Sequence, residues 1–215
     1  MLTLFPDATG LQEAARIIRA GGLVAFPTET YYGLAADPFN EEALDRLFIA
    51  KKRARQKAIL LLVKDRSQLT GLVREIPEAY EPLIRRFWPG PLTLIFEARA
   101  NLSMLLTAKS GTVGIRMSSQ PLAGGLLDAV HGPITATSAN LSDLPAVNTA
   151  EQVRQQLAGR IDAVLDGGGT PGAGSSTIIS LVAGKLTAVR RGVIPFADIR
   201  KAAGVAPEDF KKRPC

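Results

Sequence analysis

The segment Leu23-Val-Ala-Phe26 is followed at once by Pro27-Thr-Glu-Thr-Tyr-Tyr-Gly-Leu34. Four apolar residues ended by a proline predict a short buried strand. Open α/β sheets bind their ligands in the loops that follow such strands. The turn offers two threonine hydroxyls, two tyrosines and a glycine beside an approachable backbone. We interpret it as a candidate binding segment, with a well-packed turn filled by aromatic rings as the alternative.

Apolar residues on both sides of this segment recur with helix and strand periods. Leu11, Ala14, Ala15 and Ile18 predict an amphipathic helix with Thr9 as its N-cap. Leu44, Leu47 and Phe48 mark a second helix, and further helices are predicted at 77–87, 121–130 and 149–157. Strands are predicted at 58–63, 92–96, 112–116, 134–137 and 163–165, and a hairpin at 178–182 and 186–190. The predicted fold is α/β, with a twisted, mixed parallel and antiparallel sheet covered by helices.

Composition indicates one globular unit with a basic surface. The chain has 215 residues, 46% of them hydrophobic and 21% charged, and a net charge of +6. We expect one domain over 1–205 and a flexible tail over 206–215. A basic balance attracts anions such as nucleotides, nucleic acid or anionic lipid. The sequence does not indicate an oligomeric state.

The single cysteine, Cys215, cannot form an internal disulfide, which favours a reducing compartment. The first residues, Met1-Leu-Thr-Leu-Phe-Pro-Asp7, have neither the basic region nor the apolar core of a signal peptide. The longest apolar run, Ala58-Ile-Leu-Leu-Leu-Val63, is far shorter than the roughly 20 residues of a membrane helix. We therefore expect a cytoplasmic protein with no membrane contact.

Five cations lie in the seven residues Lys51-Lys-Arg-Ala-Arg-Gln-Lys57, between a predicted helix and a predicted strand. Cations fixed in this way suit a polyphosphate. A solvated helix C-terminus is the alternative, and the helix dipole accounts for one or two of the charges. Their number favours a phosphate site.

A second polar segment, Thr135-Ala-Thr-Ser-Ala-Asn140, ends a predicted strand with small hydroxyl and amide groups suited to a phosphate or ribose. Ser138 needs a base to act as a nucleophile. The one histidine, His131, lies at a predicted helix end, so a Ser-His-Asp triad is not indicated. The glycine-rich stretch 167–174 lacks the lysine of a P-loop and is interpreted as either a closing loop or a plain connector.

Metal-binding patterns are absent from the sequence, which has one histidine, one cysteine and no HExxH or CxxC motif. We expect no metal held by protein ligands. Any metal would be an oxygen-ligated Mg²⁺ that a nucleotide carries.

Together, these segments resemble the YrdC/TsaC family of L-threonylcarbamoyladenylate synthases over nearly the whole chain. The 27–34 turn resembles the family's PTETVYGL segment. Lys51-Lys-Arg53 and Ser138-Ala-Asn140 resemble its K-x-R and S-x-N signatures. Four more blocks match in order: Trp88-Pro-Gly-Pro-Leu-Thr93, Gly114-Ile-Arg116, Ser176-Thr-Ile178 and Arg190-Arg-Gly192. The chain resembles the short, single-domain form of the family.

The resemblance implies a twisted α/β fold around a large basic cleft. It also implies a reaction in which L-threonine, bicarbonate (or CO₂) and ATP with Mg²⁺ give threonylcarbamoyl-AMP and pyrophosphate. The product serves t6A modification at position 37 of tRNA, through hand-over to a tRNA threonylcarbamoyl transferase complex. Direct contact with tRNA or double-stranded RNA is left open.

Site residues follow from the resemblance by position. The residues that would hold threonine are Thr30, Arg116, Ser176 and the backbone of Ala136. Those that would contact ATP are Arg53, Lys57, Thr112, Ser138 and Arg190. Lys51, Arg53, Ser138 and Asn140 form the two signatures and are the predicted catalytic set.

Two positions depart from the family pattern. Leu62 stands where many relatives have a histidine near threonine, and Ser142-Asp143 replaces a common Ser-Gly. Two other functions stay open, and Leu62 bears on the first of them. One is an RNA- or nucleotide-binding paralogue of the YciO type without synthase activity, and the other is a carbamoyltransferase-like relative that acts on another acceptor.

Overall fold

Two mixed β-sheets form the frame of the fold in the computed structural model, which describes residues 1–206 and 210–212. The strands are β1 Leu2–Leu4, β2 Val24–Pro27, β3 Tyr32–Ala35, β4 Leu61–Leu62, β5 Leu92–Glu97, β6 Thr112–Arg116, β7 Ile134–Thr135, β8 Thr137–Ser138, β9 Ala163–Leu165, β10 Thr177–Val182, β11 Lys185–Arg190 and β12 Lys211–Lys212. The α-helices are α1 Ala8–Arg19, α2 Glu41–Lys51, α3 Glu81–Phe87, α4 Met104–Thr107, α5 Pro121–Val130, α6 Ala150–Leu157 and α7 Phe196–Ala203. Two 3₁₀ helices span Arg66–Gly71 and Glu78–Tyr80.

The strands divide into a five-stranded sheet, in the order β1-β9-β2-β3-β8, and a seven-stranded sheet, in the order β12-β11-β10-β5-β6-β4-β7. In the first sheet β1, β9 and β2 are parallel, and β3 runs antiparallel to both its neighbours. The second sheet alternates parallel and antiparallel pairs. The predicted α/β class with mixed pairing is confirmed, and the mixed pairing is distributed over two sheets.

One short segment passes from one sheet to the other. Ile134 and Thr135 pair with β4 in the seven-stranded sheet, whereas Thr137 and Ser138 pair with β3 in the five-stranded sheet. Ala136 lies between them, and its N–H donates to the Leu60 carbonyl at 3.0 Å. The single strand predicted over 134–137 is therefore two strands of two residues each. We refer to residues 134–138 as the crossing segment.

Most predicted helices and strands form where the pattern places them, and the differences lie at their ends. α1 begins at Ala8 because Asp7, and not Thr9, caps it by accepting from the Gly10 N–H at 2.8 Å. The strand predicted over 58–63 is reduced to two residues, since the Ile59 N–H and the Leu60 carbonyl bond outside the sheet ladder. Thr149 caps α6 by accepting from the Gln152 N–H, and His131 ends α5 in a left-handed conformation.

Two buried clusters of apolar side chains hold the sheets and helices together. The larger contains Leu44, Leu47 and Phe48 of α2, and the smaller packs α1 and α5 against the five-stranded sheet. Within the described residues, no helix is both long and apolar enough to span a membrane.

The predicted tail over 206–215 falls partly on residues outside the described ranges. Of the described part, Phe210 is buried, and its ring lies 5.8 Å from the ring of Phe196. Lys211–Lys212 pairs in parallel with β11. Lys211–Lys212 is therefore the edge strand β12 of the seven-stranded sheet.

Candidate functional site

A cavity of about 300 Å³ opens between the two sheets. One wall comes from the 27–34 turn and the crossing segment, and the other from β6, β10 and β11. Its lining combines arginines, hydroxyls and a few apolar side chains: Thr28, Thr30, Tyr31, Tyr32, Gly33, Arg53, Ala58, Leu60, Arg116, Ala136, Thr137, Ser138, Ala146, Ser175, Ser176, Ile178 and Arg190. Segments far apart in the chain thus meet at one concave and basic surface.

Arg116, at the end of β6, occupies the buried end of this cavity. Its Nη1 donates to Thr30 Oγ1 at 3.3 Å and lies 2.9 Å from Glu29 Oε1. The Thr30 hydroxyl is in turn 3.0 Å from that of Thr28. Burial lowers the pKa of Arg116, an effect that the Glu29 carboxylate opposes. The guanidinium remains charged, because arginine starts from so high a pKa, and the residue is almost fully buried.

Arg190, at the end of β11, belongs to the same cavity wall as Arg116. Its guanidinium donates to the Ser176 carbonyl at 2.9 Å and is 3.0 Å from Ser176 Oγ. Ser176 Oγ also lies 2.9 Å from Thr93 Oγ1 on the neighbouring strand β5. Burial lowers the pKa of Arg190, and the nearby charge of Arg116 lowers it further. The two arginines therefore share one electrostatic environment, which favours an anionic ligand between them.

Of the five cations in 51–57, Arg53 is the one that lines the cavity. Its guanidinium holds its own loop in place by donating to the carbonyls of Lys57 and Ala58, at 3.2 and 2.8 Å. Burial lowers its pKa. Arg55 turns away and pairs with Asp45 on α2 at 2.5 Å. The predicted phosphate cluster is thus one arginine at the cavity and four cations directed elsewhere.

Lys51 lies in the last turn of α2, behind the cavity wall, and is 1% exposed. Its Nζ donates to the Ser138 carbonyl and, at 2.6 Å, to the Asn140 carbonyl. Its own carbonyl accepts from the Ser142 N–H at 2.8 Å. Burial, together with the nearby charge of Arg53, lowers the pKa of Lys51 to about 7. Lys51 therefore joins the two signature segments and is not among the residues that line the cavity.

Asn140 is also buried behind the wall. Its Nδ2 donates to the carbonyls of Leu141 and Leu144, at 2.8 and 2.6 Å, which folds the loop after β8. Ser138, two residues earlier, does line the cavity. The predicted catalytic set is therefore divided between Arg53 and Ser138 at the cavity and Lys51 and Asn140 in its support.

Two further predicted ATP contacts are not in the cavity lining. Lys57 pairs with Asp143 at 3.1 Å, an exposed ion pair between the loops after α2 and β8. Thr112 begins β6, and its hydroxyl lies 2.8 Å from that of Ser110.

Leu62, at the family's histidine position, is fully buried in the smaller core cluster. Leu60, two residues earlier, lines the cavity instead.

The glycine-rich stretch 167–174 is anchored beside the site. The Tyr32 hydroxyl donates to the Gly168 carbonyl at 2.7 Å, and the Gly172 N–H donates to the Thr30 carbonyl at 3.0 Å. The cavity lining includes Ser175 and Ser176, directly after this stretch. The stretch therefore runs from β9 to β10 and is hydrogen-bonded to the 27–34 turn on the way.

The family model Sua5_yciO_yrdC, described as "Telomere recombination", matches residues 16–192. This chain belongs to the Sua5/YciO/YrdC family. It is 40% identical to the threonylcarbamoyl-AMP synthase of Bacillus subtilis (strain 168) over 195 residues, which cover 90% of this chain and 56% of that protein. The chain spans little more than half the length of such curated relatives.

Solved structures of the Sua5/YciO/YrdC family share the fold. P. abyssi Sua5 complexed with L-threonine superposes with a TM-score of 0.92 at 35% identity, covering 99% of this chain and 62% of that one. E. coli YciO superposes with a TM-score of 0.79 at 26% identity, covering 90% and 96%. The YrdC-like fold predicted from the motifs is confirmed.

Glu29 and Leu60 were not predicted as site residues of this Sua5/YciO/YrdC domain. Glu29 lies between two threonines of the 27–34 turn. Its carboxylate was the signal that could have identified it, because a carboxylate in this turn is a natural partner for Arg116 at the end of β6. Leu60 could not be predicted from the sequence, because nothing distinguishes an apolar residue that lines a cavity from its apolar neighbours in the run 58–63. Among the described residues, no cluster of three or more His, Cys, Asp or Glu side chains is placed to hold a metal ion.

Proposed function

We propose that this chain is a threonylcarbamoyl-AMP synthase that joins L-threonine, bicarbonate (or CO₂) and ATP into threonylcarbamoyl-AMP and pyrophosphate. The observation that carries the proposal is the convergence of Arg53, Arg116 and Arg190 on one cavity between the sheets. The family membership supports it, as do the names of the relatives and the threonine complex of P. abyssi Sua5.

The threonine end of the cavity is assigned to Arg116, Thr30, Ser176 and the backbone of Ala136. Arg116 offers a planar fork of donors to the substrate carboxylate at a buried position, where such a charge-assisted pair is strong. The Thr30 and Ser176 hydroxyls lie on opposite walls and fit the polar groups of a small amino acid. Leu60 adds an apolar surface suited to the methyl group of threonine.

The nucleotide end is assigned to Arg53, Ser138 and Arg190. Two guanidinium groups and a hydroxyl match the charge and the acceptor geometry of a polyphosphate. Lys57 is proposed to exchange its exposed partner, Asp143, for a phosphate when ATP binds. The position of Thr112 outside the lining gives no support to its predicted ATP contact.

The reaction needs no protein nucleophile. The neutral threonine amine first attacks CO₂, forming a C–N bond and releasing a proton to give the carbamate; starting from bicarbonate, the same carbamate forms with loss of water. A carbamate oxygen then attacks the α-phosphorus of ATP, one P–O bond forms, the bond to the β-phosphate bridge breaks, and pyrophosphate leaves. The site's task is to hold two anions in contact and to neutralise charge as pyrophosphate departs. Arg53 and Arg190 are the groups placed for the second task.

Mg²⁺ is proposed to arrive with ATP. The described residues that line the cavity include no carboxylate, so their donor set does not match a protein-held Mg²⁺ site. The ion would supply positive charge to the phosphates of the bound nucleotide.

We also infer that the product passes to a tRNA threonylcarbamoyl transferase complex. We place this hand-over in the cytoplasm, because a chain with a single cysteine suits a reducing compartment.

The test is pyrophosphate release from Mg²⁺-ATP and bicarbonate, with L-threonine, with L-serine and with neither. We expect strong stimulation by threonine. Arg53→Ala should lower kcat/KM by roughly 100- to 1,000-fold, the cost of removing one donor from a developing charge. Arg55→Ala is the matched control, because Arg55 lies in the same loop and pairs with Asp45 outside the cavity lining.

Absence of threonine stimulation in folded protein would contradict the proposal. Duplex-RNA binding with a steep salt dependence and no response to threonine would instead support the RNA-binding paralogue. Equal loss in Arg53→Ala and Arg55→Ala would contradict the assignment of Arg53.

A further inference from the structure

Glu29 lies immediately behind Arg116. One carboxylate oxygen, Oε1, is 2.9 Å from Arg116 Nη1, and the other accepts a hydrogen bond from the Ser118 hydroxyl. The side chains of Arg116 and Glu29 are 4% and 13% exposed. Of the ion pairs formed by described residues, this one is more deeply buried than the others. A buried pair is costly to break from one side, because the remaining charge is left without a partner.

The pair is close but not saturated. Arg116 Nε and Glu29 Oε1 are both buried and lack a hydrogen bond of good geometry. The guanidinium has five N–H donors, and Thr30 accepts one of them. Arg116 is therefore oriented by Glu29 and Thr30 while donors remain for another acceptor.

Glu29 is not among the residues that line the cavity, so it acts on a ligand through another group. Its charge offsets that of Arg116, while Arg53 and Arg190 keep theirs for phosphate. Ser118 fixes the carboxylate from behind, next to Gln120, which caps α5. A chain of contacts thus runs from the start of α5 through Ser118 and Glu29 to Arg116.

We propose that Glu29 is a positioning residue that holds the Arg116 guanidinium in place for the carboxylate of the amino-acid substrate, with Ser118 as its support. This inference rests on the proposed function, because it takes that substrate to be L-threonine. It assigns a role to an acidic residue that lies behind the lining of a cavity whose proposed ligands are anionic. It also predicts that the effect of Glu29 is specific to the threonine end.

The test compares Glu29→Gln with wild type by calorimetric binding of L-threonine and by separate KM values for threonine and ATP. We expect the threonine Kd and KM to rise roughly 10-fold or more, the loss associated with one hydrogen bond to a charged group. The KM for ATP should stay within about twofold. Ser118→Ala, which keeps the carboxylate, should raise the threonine KM by a smaller factor. Glu97→Gln is the matched control, because it breaks an exposed pair with Arg74 outside the cavity.

A double-mutant cycle separates positioning from general damage to the fold. In an Arg116→Lys background, which loses the planar fork, Glu29→Gln should add little further loss of threonine affinity. Equal rises in both KM values, or a lower kcat with both KM values unchanged, would overturn the proposal. If Glu29→Gln does not fold, an unchanged threonine KM in Ser118→Ala would overturn it as well.

The binding measurement also separates this proposal from the one on which it rests. Wild type that fails to bind threonine contradicts the proposed function and this inference together. Wild type and Glu29→Gln that bind threonine equally well contradict the positioning role alone.

Discussion

Replacing Lys51 by methionine tests how the buried ammonium contributes to stability. In the folded chain the pKa of Lys51 is about 7, and in the unfolded chain it returns to its ordinary value of 10.5. Between these values the folded state has lost the proton and the unfolded state keeps it. Because stability rises with pH wherever the unfolded state binds more protons, wild type should gain up to about 1.4 kcal/mol per pH unit in this window. Below pH 7 both states are protonated, so the penalty for burying the charge is present in full.

From pH 7 to pH 9 these two pKa values give a gain of about 2 kcal/mol in the unfolding free energy of wild type relative to Lys51→Met. Unfolding of wild type and Lys51→Met by guanidinium chloride at pH 6, 7, 8 and 9 measures this gain. The difference between the two proteins isolates Lys51, because all other titratable groups are the same in both. Lys52→Met is the control, since Lys52 is the exposed neighbour of Lys51. A difference between wild type and Lys51→Met that does not change with pH would refute the reasoning. It would mean that the two carbonyl acceptors keep the ammonium charged.

Two further predictions concern backbone positions. A Cβ on Gly192 would lie 2.3 Å from the Ser175 carbonyl oxygen, so Gly192→Ala should displace the cavity wall at Ser175 and Ser176. We expect the variant to lose about 3 kcal/mol of unfolding free energy, measured by chemical unfolding. We also expect it to lose threonine binding, measured by calorimetry. Gly71→Ala, whose Cβ would meet nothing within 4 Å, should leave both unchanged, and equal effects would contradict the steric argument. Asp143 has a φ of 68°, a left-handed conformation that glycine adopts without strain and a β-branched residue does not. Asp143→Gly should therefore keep the unfolding free energy within about 1 kcal/mol of wild type, although it loses the exposed ion pair with Lys57. Asp143→Val should lose about 1–3 kcal/mol of unfolding free energy. A large loss of unfolding free energy in Asp143→Gly would contradict this reasoning, because it would show that the ion pair between Asp143 and Lys57 contributes more than exposed pairs usually do.

The helices were predictable because their apolar faces repeat regularly, whereas the shortest strands were not. β4, β7 and β8 have two residues each, too few for a period of two to be recognised. The division into two sheets depends on where those strands pair, which is decided by contacts between distant segments. The N-cap of α1 was misassigned because Asp7 and Thr9 are both good capping residues, and geometry favours Asp7.

The site was predicted through motifs rather than through periodicity. The residues named through the resemblance that line the cavity include Thr30, Arg116, Ser176 and Arg190, and their contacts with threonine and ATP stay a prediction. The placement of Lys51 could have been foreseen, because Leu44, Leu47, Phe48 and Lys51 follow the helical spacing and place the lysine on the buried face of α2. The direction of Lys57 could not be foreseen, since its partner Asp143 is 86 residues away along the chain.

The crossing segment has a consequence for how the gene can change. Ile134–Thr135 is in register with one sheet and Thr137–Ser138 with the other, with Ala136 as the one residue between them. Inserting or deleting a single residue here would exchange inward and outward side chains on one of the two sheets. Surface loops elsewhere absorb such length changes at little cost. Length variation should therefore be tolerated in loops of this protein but excluded from residues 134–138.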